Sequence, residues 1–196
     1  RIHSAAKCEF LEKGFLGASL RNIVKCAGVT TGAFYGYYDS KEKLFDALVS
    51  EQYEHVMDMY MSTQNSFKEL EAEKQQANMG KIGGDCLEQM IDYMYANEDE
   101  FRLILMCSKG TRYENMVHEM SEVEVQATHD FVEVMRENGI EVREIDPKLE
   151  HVLVSGMFTA FFELLIHKND IGEAKTYLEQ LREFYTAGWM RLFDMY

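Results

Sequence analysis

Residues 19–45, SLRNIVKCAGVTTGAFYGYYDSKEKLF, constrain the fold more than any other part of the chain. The stretch reads as two short helices with a tight turn between them, then the start of a third. Ser19 is a good N-cap, and Asn22 stands where the Glu or Gln of a capping box would sit. Leu20, Ile23, Val24 and Ala27 recur at helical spacing and make one apolar face. Gly28 takes a left-handed conformation without a Cβ clash and stops the helix. Val29 is apolar and plugs the turn. Thr30 caps a second helix expected to run to Tyr38, with Phe34 and Tyr38 on its inner face. Asp39-Ser40 breaks it, and Ser40 caps the next helix from Lys41. Helix, glycine-centred turn and short second helix make a helix-turn-helix, whose second helix enters the major groove of DNA.

The outer face of that second helix holds Thr31, Gly32, Ala33, Tyr35, Gly36 and Tyr37, with no acid among them. Small residues let a helix approach base edges closely, and Thr and Tyr exchange hydrogen bonds or touch a thymine methyl. The same pattern also fits a structural helical hairpin with an exposed polar face.

Residues 2–49 resemble the N-terminal domain of TetR-family transcriptional regulators. The matching pieces are Ala5-Ala6 and Phe10, Lys13-Gly14-Phe15, Ser19-Leu20-Arg21-Asn22-Ile23, Ala27-Gly28-Val29, Gly32-Ala33-Phe34-Tyr35, Tyr37-Tyr38 and Ser40-Lys41-Glu42. Gly36 departs from the larger side chain common in the family, and Tyr38 from the commoner Phe. The resemblance implies an all-α chain of about nine helices. A three-helix DNA-binding head, residues 1–48, is joined by a fourth helix to a ligand-binding and dimerisation body, residues 49–196. It also implies DNA contacts from Arg21, Thr30, Thr31, Ala33, Tyr35, Tyr37 and Lys41. Lys41 would pair with a phosphate, aided by the helix N-terminus.

Charge is distributed in keeping with that reading. The formal net charge is −14, yet residues 1–50 carry +2 and the remainder −16. A mildly basic head on an acidic body offers DNA one end only. No apolar run approaches ~20 residues, so no membrane span is expected. No secretory signal is visible, and the protein is expected to be cytoplasmic. Cys8, Cys26, Cys86 and Cys107 form no CxxC and are expected as buried free thiols. The six histidines show no metal-ligand spacing along the chain, so no metal site is expected, and no cofactor.

Along the chain, a helix is expected over residues 1–13, ended by Gly14, and another from 41 past 60. Residues 62–81 are polar and read as a break with a weak helix. Further helices are expected over 85–97, 98–108, 113–137, 147–168 and 173–193, with Asn138-Gly139 and Pro147 marking a stop and a start. Catalytic motifs such as GxSxG, the P-loop, GxGxxG and HExxH are absent, and the chain is not read as an enzyme.

Met and aromatic residues of the body could line an apolar cavity: Tyr60, Tyr93, Met94, Phe101, Leu105, Tyr113, Met120, Met157, Phe158 and Phe161. Each also fits an ordinary bundle core. Phe158 and Phe162 lie off the main apolar stripe of residues 147–168, and Leu178, Leu181, Tyr185 and Trp189 recur along 173–193. These six are expected at the interface of a two-fold homodimer. The resulting expectation is a repressor released from a palindromic double-stranded operator by a small-molecule inducer. The alternative is a helical interaction protein of the same fold without specific DNA binding.

Overall fold

The computed structural model describes residues 1–167 and 170–195. The expected helix end at Lys168 and the connection at Asn169 lie outside the described residues. The fold is all-α, with ten α-helices and one π-helical turn among the described residues, rather than about nine helices. The chain forms two compact units: Arg1–Val56 with Ala96–Met116, and Met57–Tyr95 with the residues from Val117 onward.

In the first unit, α1 (Ile2–Gly17) bends at Gly14, whose φ of 67° places it in the left-handed region. The bend turns Phe15 inward, where Phe10, Phe15 and Phe45 meet with ring centroids 5.1–6.0 Å apart. Helix α2 (Leu20–Ala27) buries Ile23, Val24 and Ala27. Gly28, at φ 67°, ends it with a Schellman pair: Gly28 N–H donates to Lys25 C=O (3.2 Å) and Val29 N–H to Val24 C=O (3.0 Å). The expected capping box is completed from another helix. Glu9 of α1 accepts from Ser19 N–H at 3.0 Å and from the Asn22 amide at 3.3 Å, while Ser19 Oγ accepts from Asn22 N–H. That backbone donor, followed by Lys13, holds the Glu9 carboxyl below its ordinary pKa.

Helix α3 (Thr31–Tyr35) is shorter than expected, because Gly36 lacks the side chain that would favour continuing it. One further turn still forms, with Tyr37 and Tyr38 N–H groups both donating to Phe34 C=O. Helix α4 (Lys41–Lys68) follows, giving its residues through Val56 to this unit and the rest to the second.

Residues 96–116 complete the first unit through α7 (Glu98–Arg102) and the π-turn Leu103–Cys107. Phe101, Leu103, Ile104 and Cys107 are buried there. Lys7 pairs with Glu100, and Arg112 reaches Asp46 and Glu54, both at 3.1 Å. Cys8 and Cys26, expected to be buried, are exposed, because each sits on the side of its short helix turned from the core; Cys86 and Cys107 are buried.

The second unit contains the end of α4, then α5 (Ala72–Ala77), most of α6 (Lys81–Ala96), α8 (Met116–Glu137), α9 (Pro147–Ile166) and α10 (Ile171–Leu192). The break expected over 62–81 is confined to residues near 69–71 and 78–80, since α4 continues to Lys68. Helix α6 begins four residues earlier than expected and includes Gly83 and Gly84. At Gly84 a Cβ would fall 2.0 Å from Arg182 Nε of α10, so the missing side chain makes room for that guanidinium. Leu87, Met90, Ile91 and Met94 form the buried face of α6, as their spacing predicts. Gly139 (φ 77°) ends α8, and Asp146 caps α9 with Pro147 in its first turn. By length and composition α9 could cross a membrane, which the expectation of no apolar run missed; here Val154, Phe158, Phe161, Phe162 and Leu165 give it a buried face within the bundle.

Candidate nucleic-acid interface and ligand cavity

Helix α3 is held by three local devices. Thr30 Oγ1 accepts from Ala33 N–H at 3.1 Å, Phe34 is fully buried, and Tyr38 stacks obliquely on Phe34 while its hydroxyl meets His3 Nε2 at 2.5 Å. With that anchor fixed, Thr31, Gly32, Ala33, Tyr35, Gly36 and Tyr37 all face solvent. Tyr35 is 52% exposed and Tyr37 76%, so burial explains neither ring. Arg21 and Thr30 are also exposed. The structure therefore brings six of the seven predicted DNA contacts onto open surface at the helix-turn-helix.

Lys41 is different. Its ammonium donates to Phe15 C=O at 2.6 Å and Ala18 C=O at 3.0 Å, and it lies 4.6 Å from the centre of the Phe15 ring. Two of three N–H donors thus satisfy carbonyls at the end of α1 that the helix leaves orphaned. One donor and the charge remain for a phosphate.

The second unit holds a partly open cavity of about 160 Å³ among its helices. Phe67 and Tyr60 from α4, Gly83 and Leu87 from α6, Phe131 from α8, Phe158 from α9 and Trp189 from α10 supply much of the wall. The lining carries one carboxylate, Glu124 of α8. It accepts from the Tyr60 hydroxyl and, at 2.6 Å, from the Gln64 amide. Burial pushes the Glu124 carboxyl above its ordinary value, and burial followed by the facing Glu124 charge pushes the Tyr60 phenol well up. Across the cavity, Arg182 is paired with Asp85 at 3.2 Å. Glu124, Gln64 and Arg182 thus join Thr63, Asn78, Thr128 and Thr186 as the polar part of a largely apolar lining.

Of the ten residues expected to line a cavity, Tyr60, Met157 and Phe158 do so. Phe101, Leu105 and Tyr113 belong to the first unit, because the turn after α6 carries residues 96–116 back to the head. There Tyr113 is buried against Phe45 and Tyr53, donates to Asp46, and has its phenol pushed up to about 12 by burial and that carboxylate. Met94, Met120 and Phe161 are buried in the second unit but outside the cavity lining, and Tyr93 is half-buried there. The expectation missed Gln64, Glu124 and Arg182. Polar residues on apolar stripes were the available signal.

The interface expectation also needs correction. Phe158, Phe162 and Leu178 are at most 2% exposed within one chain, so none can meet a partner. Leu181, Tyr185 and Trp189 line the cavity wall and are half-buried. Phe and Leu positions off the main stripe reflect helices packed on more than one side by their own bundle. Outside remain Leu149 and Val152 (64% exposed) on α9 and Ile171, Tyr177, Phe184 (72%) and Met190 on α10.

Comparison with known proteins accords with this architecture. Residues 2–48 match the profile of the bacterial regulatory proteins of the tetR family. The uncharacterized HTH-type transcriptional regulator YdgC of Bacillus subtilis (strain 168) is 41% identical over 56 residues, a stretch covering 29% of each chain. The match therefore spans less than a third of that relative's length. Over the whole fold, a transcriptional regulator of Aquifex aeolicus VF5 superposes with a TM-score of 0.54 at 21% identity, covering 93% of this chain and 94% of that one. The TetR-family regulator PfmR of Thermus thermophilus gives 0.55 at 17% identity, covering 93% and 97%. At these identities the structural likeness speaks to the fold.

Proposed function

We propose, from the premise that residues 2–48 form a tetR-family head, that the chain is a cytoplasmic DNA-binding transcriptional regulator controlled by a small molecule. The observation that carries this reading is the exposed, acid-free surface of α3 and the turn after it, where Tyr35 and Tyr37 are both exposed. Thr31, Ala33, Tyr35 and Tyr37 read bases or touch phosphates in the major groove, while Arg21, Thr30 and Lys41 hold the backbone. Two such heads in a homodimer read a palindromic site.

The cavity of the second unit is the ligand site. An apolar molecule with a cationic or hydrogen-bond-donating end suits its aromatic walls and the Glu124 carboxylate. A ligand acts only if it binds the state with one head spacing more tightly than the other. Helix α4 runs continuously from the head, through Leu44 and Phe45, to the cavity residues Tyr60 and Gln64. Its displacement would release the operator, making the protein a repressor.

Operator selection from random duplexes, followed by titration at fixed salt, tests the assignment. Tyr37→Ala should lose both affinity and sequence preference while the melting temperature holds. Lys41→Ala should weaken all sequences alike and lower the salt slope by about 0.9 for a lost phosphate. It should also lower the melting temperature, because Phe15 and Ala18 lose their donor. Normal operator binding by Tyr37→Ala would overturn the α3 assignment. A wild-type chain that selects no sequence would favour the interaction-protein reading instead. Calorimetry with long-chain amines and matched carboxylates then reports the ligand class, with Glu124→Gln expected to abolish any preference for the amines.

A further inference from the structure

Two histidines and one glutamate that are scattered in sequence meet on the surface of the second unit. His118 and Glu122 lie one turn apart on α8, and His151 comes from α9. His151 Nδ1 is 3.4 Å and His118 Nδ1 3.9 Å from the same oxygen, Oε1 of Glu122. One donor atom from each residue lies within 4.8 Å of the other two. The rings of His118 and His151 meet edge to face at 6.0 Å.

We propose that His118, Glu122 and His151 form a site for one divalent transition-metal ion of the zinc class. Zinc takes imidazole nitrogen and carboxylate oxygen at about 2.0–2.2 Å, which in tetrahedral geometry spaces the donors by ~3.3 Å. Closing the observed triangle to that size needs shifts of about an ångström in three side chains that are 43–62% exposed and free to turn. Imidazole with a single carboxylate selects zinc, nickel, copper or iron over magnesium or calcium, which prefer oxygen cages. Two features favour an ion over a chance encounter. Both Nδ1 atoms face one oxygen of Glu122, so three ligand-type atoms from two helices already share one focus. The other nitrogen of the His151 ring meets Ser155 Oγ at 3.4 Å, the kind of outer contact that orients a ligating imidazole.

Three protein donors leave the fourth position to water. The ion would tie α8 to α9, the helices that carry Glu124, Phe131 and Phe158 to the cavity. Metal occupancy would therefore stiffen one side of that chamber. The site stands whether or not the protein binds DNA.

The test uses the full chain freed of any histidine tag. Zinc titration against a chromophoric chelator should give one ion per chain, and cobalt should produce the visible absorption of a tetrahedral N/O site. His151→Ala and Glu122→Gln should each weaken zinc by at least about tenfold and remove the cobalt bands. His129→Ala, which removes a histidine of the same helix outside the cluster, should change neither. Circular dichroism checks that each variant stays folded, which surface positions favour. Absence of saturable binding, or binding undiminished by His151→Ala and Glu122→Gln together, would overturn the proposal.

Discussion

At the scale of single residues, polar side chains serve the fold before they serve a ligand. Glu9 supplies the capping-box carboxylate that α2 lacks beside its own cap, Ser19, and Lys41 closes the end of α1. Neither role was legible in sequence, because each joins residues 10 or more positions apart. Glu124 is the sharper case. Burial raises its pKa, so the folded chain binds this proton more tightly than the unfolded chain does. Its contribution to stability is therefore full below the unfolded carboxyl pKa and is lost as pH rises through the higher folded value. Glu124→Gln should flatten that decline. Thermal melts at rising pH should show wild type losing ground to the variant once pH passes the ordinary carboxyl pKa. Parallel curves would mean that Tyr60 and Gln64 offset the whole cost of burying the charge.

At the scale of elements, glycines before and inside α6 make opposite predictions. Gly80 has φ 73°, and a Cβ there would lie 2.5 Å from Thr186 Oγ1, a branched side chain that turns poorly. Gly80→Ala should cost about 1 kcal/mol or more. Gly83 is helical with nothing within 4 Å of its missing Cβ. Gly83→Ala should stabilise by a few tenths to about 1 kcal/mol. Denaturant melts of the two variants should move in opposite directions. These glycines also show where sequence reading stops. The α2 stop at Gly28 was legible because its cap is local. The α6 start was not, because Gly84 answers to Arg182, 98 positions away, and helical spacing carries no trace of that pairing. The same limit explains the cavity. Apolar stripes told which faces turn inward, but not which inward residues border empty space.

At the scale of the molecule, the apolar residues left outside decide how copies can meet. Val152, Tyr177 and Phe184 remain exposed, and Gly156 and Gly188 keep parts of α9 and α10 low. This face is the one on which the proposed homodimer would form, in place of the buried phenylalanines that periodicity suggested. Phe184→Asp should give a light-scattering mass near one chain, 22.8 kDa, where wild type gives twice that. Operator affinity should fall with it, since a lone head reads only half a site. A Phe184→Asp chain that keeps its doubled mass would move the interface elsewhere.

Trp189 is the chain's one tryptophan, and it lies in the cavity wall with its indole stacked 5.5 Å from the Phe193 ring. Every photon of indole emission from this protein therefore originates at the chamber boundary. A molecule entering the chamber would change the polarity and quenching that this fluorophore experiences, shifting its emission maximum or lifetime without any label. The molecule carries its own optical gauge of occupancy, and the same signal can be followed in milliseconds by rapid mixing.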